Sequence, residues 1–383
     1  MEKYDRICMI MAAGAERSFG LQENKRVDIK TLDVDMASVI SKNSKENLRA
    51  FMRRLGLLTE DGWDKDMLAM NLKETIMDHP EYILYVYNRE TLAFLMYLWE
   101  QDGIEAGQLE WAYIGQLQLL GFLDYSMETR EKESGSIYLI QEAVDSFYFY
   151  LKSHRAMMDM GKYDIWERLI RGMMSFYGIL SFNRLYFYFC KNIREPVDDE
   201  QLHCFLAGRI SLWSFGSFVM EKHSHVEYYE IFDTTDPEHI LEQCEEEHDF
   251  DYHCPEYDEL LYVADNNGFG QWDGIGELAD ILMEDLEIEY YQTVVIIKSC
   301  ILMVQNGEDC ERIMTNILKW CPKGEPYKEP FLEAVKNLYR SVPVYGLKGW
   351  NRKEISDMHK NKNLFTVLEG GKYSKGKGKK KNP

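Results

Sequence analysis

Between His223 and Ile297 the chain has neither lysine nor arginine. Those 75 residues carry 22 Asp and Glu, while the other 308 residues set 43 acids against 44 Lys and Arg. The formal net charge of -21 is therefore local. Proline is scarce, nine in 383 residues, and Met numbers 20, a composition that favours helices. No run reaches the ~18 apolar residues that a membrane-spanning helix needs; Tyr290–Val304 comes nearest and Lys298 interrupts it. The eight Cys are scattered and never form Cys-x-x-Cys, which argues against a disulfide scaffold and for reduced thiols in a cytoplasmic protein. Phosphate loops, nucleophile elbows and His-Glu-x-x-His helices are absent, and Gly268-Phe-Gly270 does not extend to Gly-x-Gly-x-x-Gly after a strand.

What is present is enough for real cores: 45% hydrophobic residues, 13% aromatic, and a mean hydropathy of -0.41. Near the N-terminus Ile7–Ala15 is apolar, but Glu2 and Asp5 offset Lys3 and Arg6, so a buried terminal segment is expected rather than a secretory signal. The fold class expected is mainly α: a helical multi-domain protein with two small winged-helix-like units, each ending in a short β-hairpin, and a helical C-terminal domain.

Residues 1–43 show little periodicity and are expected to form an arm. Over 44–88 Ser44 is placed as an N-cap, with Leu48, Phe51, Met52 and Leu55 at helical spacing and Gly56 ending the helix. A second helix, Asp64–Asp78, stops before Pro80. Residues 89–160 give helices, a helix over Gln108–Leu120, a hairpin from Phe122–Tyr125 and Ser136–Ile140, and a linker helix. Residues 161–232 repeat that order, with helices at Tyr163–Ile193 and Asp198–Gly208 and a hairpin from Ser217–Met220 and Val226–Ile231. The acidic segment and helical C-terminal domain take 233–369, including a long helix from Glu277 to Gln305. Residues 370–383 are a Lys-rich tail expected to be disordered.

The helix pair Asn47-Leu-Arg-Ala-Phe-Met-Arg-Arg-Leu-Gly56 and Lys65-Asp-Met-Leu-Ala-Met-Asn-Leu-Lys73 resembles the helical module at the N-terminus of transcription terminator Rho and the related SAP motif. Those modules touch nucleic acid. With Asp78-His-Pro-Glu-Tyr-Ile-Leu84, Tyr177-Gly-Ile-Leu-Ser181, Tyr262-Val-Ala-Asp265 and Val344-Tyr-Gly-Leu-Lys-Gly-Trp-Asn351, the chain resembles an uncharacterised Firmicutes family that often ends in a SEC-C motif. That motif is a cysteine-rich zinc knuckle followed by lysines. Here no cysteine follows Cys321, so the knuckle's ligands are missing.

Two constellations in the acidic stretch invite a metal reading, and neither fits. His239, Cys244, His248, His253 and Cys254 match no zinc spacing. Asp265, Asn267, Gly270 and Asp273 fit positions 1, 3, 6 and 9 of an EF-hand loop, but Phe269 stands at position 5 and Gly276 at position 12. No metal, cofactor or catalytic residue is assigned.

The leading expectation is a non-enzymatic cytoplasmic protein that presents an acidic face, Glu242, Glu245, Glu246, Glu247, Asp249, Asp251, Glu256 and Asp258, to a basic protein partner. One alternative is a nucleic-acid-associated regulator contacting DNA or RNA through Arg49, Arg53, Arg54, Lys65 and Lys73 of the Rho-like pair and Lys375, Lys377 and Lys379 of the tail. Another is an acidic mimic of DNA. The helix Gln108–Leu120 has no cation and the helix from Asp198 opens with three acids, so neither suits base readout.

Overall fold

A computed structural model of the chain describes residues 26–105, 111–127, 135–193, 195–213, 216–220, 227–231, 234–247 and 250–360. The protein is mainly helical, and side-chain caps set many of its helix starts. Ser44 accepts a hydrogen bond from Asn47 N ahead of Lys45–Arg54, and Asp64 accepts from Met67 N ahead of Lys65–Asp78. Asp236 accepts from His239 N ahead of Pro237–Glu246, where Pro237 opens the first turn. Gly56, at φ 72°, lies just past the end of the first of these helices. Among the described residues no helix is long and apolar enough to cross a membrane.

The described residues fall into two compact units, 26–171 with 180–231, and 172–179 with 234–360. The first contains a four-stranded mixed sheet of β1 (Arg26–Leu32), β2 (Gly103–Glu105), β3 (Leu123–Met127) and β4 (Gly135–Ile140), in the order β2-β1-β4-β3. β3 and β4 make the expected antiparallel hairpin, Leu123 opposite Leu139. β4 is also flanked by β1, which runs parallel to it with Ile29 opposite Ile137, so the hairpin is part of a larger sheet. Residues 26–43, expected as part of an arm, thus supply a strand and the short helix Met36–Ile40. Val27, Met36, Val39 and Ile40 are buried. The second hairpin also forms, with β6 (Gly216–Met220) antiparallel to β7 (Glu227–Ile231) in a sheet ordered β5-β7-β6, where β5 is Ile179–Ser181.

Three stretches expected as helical have different bounds. The helix ending at Gly208 in the sequence reading runs on as Asp199–Trp213. Gly208 is there for clearance, since a Cβ would sit 2.7 Å from the Tyr85 carbonyl oxygen. The helices expected over Tyr163–Ile193 are His154–Tyr177 and Phe182–Asn192, separated by β5 after Gly178 with φ 70°, where a Cβ would lie 2.7 Å from the Tyr345 ring. Glu277–Gln305 divides into Ile275–Asp280, a π-helical turn at Ile281–Asp285 and Tyr290–Gln305, with Glu287 left-handed at φ 54° between them.

In the second unit the core is built where Leu282, Ile301, Ile313, Ile317, Phe331 and Leu338 meet. In the first, Trp166 packs edge-on against Phe189 and Phe205, and Tyr163 stacks on Phe205 at 5.4 Å.

Candidate functional site

The acidic stretch is folded, and its described acids point outward. Helix Pro237–Glu246 buries Ile240 and Cys244, leaving Glu242, Glu245 and Glu246 exposed at i, i+3 and i+4 spacing. Helix Tyr257–Asp265 buries Leu260 and Val263, with Glu256 as its N-cap and Asp258 in its first turn, both exposed. Acids at a helix start are favoured by the dipole, which helps this segment tolerate its charge. Glu247 is half-buried, Asp251 is exposed, and Asp249 lies outside the described residues.

One segment, Val344–Asn351, fastens this region. Lys348 is only 8% exposed and holds a left-handed backbone at φ 56°. Its ammonium donates to the carbonyls of Glu247 and, at 3.2 Å, Phe250. Trp350 Nε1 donates to Asp251 O at 2.7 Å, and His253 N donates to Lys348 O at 3.0 Å. A stretch with no cation of its own is thus held by a buried lysine about a hundred residues on.

Beside these contacts lies a cleft of about 360 Å³, lined among others by Phe176, His253, Glu259, Trp272, Asp273 and Glu354. His253 is fixed through its backbone, since Tyr177 Oη donates to its carbonyl at 2.6 Å, and its ring lies 4.3 Å from that of Trp350. Its Nδ1 is buried with no hydrogen-bond partner among the described residues. Burial pushes the imidazole below its ordinary value, while the charge of Glu354 opposes that shift. Glu354 is held by a capping box: Asn351 N donates to its carboxylate at 3.2 Å and Glu354 N donates to Asn351 Oδ1 at 2.8 Å. Burial, and then the charge of Glu354, raise the Glu259 carboxyl. Lys353, the one cation among the described residues lining the cleft, is 3.5 Å from Asp273. The described lining is therefore net acidic, with Glu259, Asp273, Glu354 and Asp357 against Lys353.

The remaining predicted residues are placed as follows. Arg49 donates to the carbonyls of Glu60, Asp61 and Trp63, and Arg53 binds Thr59 Oγ1 at 3.0 Å and Asp61 at 3.4 Å. Lys73 bridges Asp35 and Glu142. Lys65 is exposed; the Arg54 side chain, Lys375, Lys377 and Lys379 lie outside the described residues. Most cations described in the Rho-like pair thus hold their own fold together.

His239 is exposed and pairs with Glu242 at 3.8 Å, Cys244 is buried with its thiol on Tyr345 O, and His248 lies outside the described residues. Gly274 caps the helix that follows the loop from Asp265. Among the described residues no group of three or more His, Cys, Asp or Glu is arranged to hold a metal ion. No motif in the sequence gives Glu259, Glu354 or Lys348 a role, although Lys348 lies within the Val344–Asn351 segment that carries the family resemblance. Only the Asn351-x-x-Glu354 capping-box spacing marks one of them. Comparison of the chain with protein-family models, with curated proteins and with solved structures finds no match in any of the three.

Proposed function

We propose that the protein is a non-enzymatic, cytoplasmic interaction protein whose acidic surface receives a basic protein partner, and that the cleft at His253 takes a Lys or Arg side chain from it. The observation that carries this reading is that Glu259 and Glu354 line one cleft, where burial and then the charge of Glu354 raise the Glu259 carboxyl. A guanidinium or ammonium entering there relieves the repulsion between the two carboxylates and lies beside the Trp272 side chain. The exposed carboxylates around it speed encounter and reject acidic competitors. A nucleic-acid-binding protein is one such partner, which joins this reading to that of a DNA mimic. The likeness to the Firmicutes family with a Rho-like module belongs to the same proposal, as does the assignment of the two hairpin regions as winged-helix-like units used for protein contact.

The test compares proteins captured from a bacterial lysate by the wild type, by E245Q/E246Q/E256Q/D258N and by E259Q/E354Q. Basic proteins retained by the wild type are expected to be lost from the first variant at moderate salt and weakened in the second. Identical captured sets for all three would overturn the proposal.

A further inference from the structure

The second unit also carries a cationic groove, although the chain as a whole is strongly acidic. Helix Lys328–Ser341 and the helical residues 352–360 line a groove of about 410 Å³ with Lys336, Tyr339, Arg340, Arg352, Lys353 and Lys360, together with Ser356 and Asp357. Five cations thus face one acid.

Three of them are only loosely engaged. Lys336 is 3.6 Å from Glu333, Lys353 is 3.5 Å from Asp273 and Lys360 is 3.0 Å from Asp357, all with both partners at least half exposed. Surface pairs of this kind contribute about 0–1 kcal/mol and exchange readily. Arg340 is exposed and has no ion pair among the described residues.

Arg352 is the less usual case. Its guanidinium lies 3.7 Å from the centre of the Tyr339 ring and donates to the Tyr339 carbonyl at 3.2 Å, yet no carboxylate neutralises it among the described residues. A desolvated cation is ordinarily paired, and burial here pushes the guanidinium below its ordinary value. An anion in the groove would supply the missing charge.

We propose that this groove binds the phosphodiester backbone of single-stranded nucleic acid. Phosphate oxygens are met by Lys and Arg with hydroxyl donors such as Ser356 and Tyr339, which is the groove's own composition. A cationic groove with an aromatic side chain is also how single strands are held without sequence preference. The chain that follows is basic as well: residues 361–383 hold seven Lys and one Glu. Acids elsewhere oppose the approach of any polyanion, so affinity rests on the groove and depends steeply on salt. The inference does not depend on the acidic surface having a partner.

The test is fluorescence anisotropy of a labelled single-stranded oligonucleotide with the full chain across a salt series. Variants are K336Q/R340Q in the groove and K375Q/K377Q/K379Q in the tail. Both groove residues are exposed, and an unchanged circular dichroism spectrum checks that the fold survives. Removing two phosphate contacts is expected to weaken binding at low salt at least tenfold and to flatten log K against log salt by about 1.4, at about 0.7 per contact for single strands. The tail variant is expected to keep most of the binding. Absence of binding at low salt, wild-type binding by K336Q/R340Q, or loss of all binding in the tail variant alone would overturn the proposal. So would displacement of the oligonucleotide by polyglutamate of equal charge and concentration, because the groove would then favour carboxylates.

Discussion

Glu167→Gln removes the carboxylate closest to the most deeply buried charge described in the chain. Arg209 is 2% exposed, its Nη2 donates to Leu84 O at 3.1 Å, and its Nη1 sits 3.4 Å from Glu167 Oε2, an ion-pair distance without hydrogen-bond alignment. Desolvation lowers its pKa to about 10, and Glu167 is first among the acids that hold it up, ahead of Asp164 and Glu90. Removing one partner of a buried pair costs about 3–5 kcal/mol, and the two remaining acids put this case near 3. The reverse deletion is milder. In Arg209→Met the flexible replacement fills most of the space, and Glu167 keeps Arg171 at 2.7 Å, so about 1–2 kcal/mol is expected. The assay is amide hydrogen exchange in Asp199–Trp213, which reads local opening without requiring the whole chain to unfold in one step. For Glu167→Gln exchange should rise about a hundredfold, since about 1.4 kcal/mol is a factor of ten. The double variant should be more protected than Glu167→Gln alone. If Glu167→Gln exchanges within about threefold of wild type, or if Arg209→Met proves the more damaging change, Glu167 is not what makes the buried guanidinium tolerable.

Other expectations test separate parts of the fold. Gly208→Ala places a Cβ against the Tyr85 carbonyl and should destabilise by about 1–3 kcal/mol, read as a lower melting temperature; an unchanged melt would show that the helix can shift aside. Lys348→Met takes a charged donor from the carbonyls of Glu247 and Phe250 and should cost about 1.5–3 kcal/mol, with faster exchange at the Tyr252 and His253 amides as its signature. Glu259 titrates higher folded than unfolded, so wild-type stability falls as pH rises from the ordinary value of 4.5 through the raised one. Glu259→Gln should therefore melt above wild type near neutral pH, with that gain gone under acid conditions where both carboxyls are protonated. A constant offset at every pH would count against the ionised Glu259 carboxylate, disfavoured by burial and then by Glu354, as the cause.

Helix starts are the most readable part of the sequence, because a cap is a local device: Ser44 accepts from Asn47 N three residues on, as its position predicts, and the second helix starts one residue after the expected Asp64, which caps it. Glycine was read by a rule that holds at Gly56 and fails at Gly208. A glycine placed for backbone conformation and one placed for clearance look the same in sequence, and the Tyr85 carbonyl that requires the second lies more than a hundred positions away. β1 was missed because only Val27-Asp28-Ile29-Lys30 alternates, too short a run to stand out, and its partner β4 comes about a hundred residues later. The break at Glu287 carries neither Gly nor Pro, so periodicity ran straight through it. The acidic surface was legible as charge. The cleft was not, since His253, Trp272 and Glu354 come together only through tertiary packing.

The cation gap from His223 to Ile297 thus has a physical counterpart in the segment that follows the last long helix. A helix pair bearing Glu242, Glu245, Glu246, Glu256 and Asp258 on its outer surface keeps its repulsion in water, where screening makes it small. Inside the unit, where screening fails, Lys348 reaches the Glu247 and Phe250 carbonyls, and among the described residues no carboxylate pairs with it. A lysine that neutralised the surface acids would remove the negative field on which the proposed reading rests. A lysine on backbone carbonyls steadies the chain and leaves that field intact. Glu259 and Glu354 carry the same division into the cleft, where each serves its own helix start as a cap and neither is neutralised by the other: burial, and then the charge of Glu354, keep the Glu259 carboxyl raised.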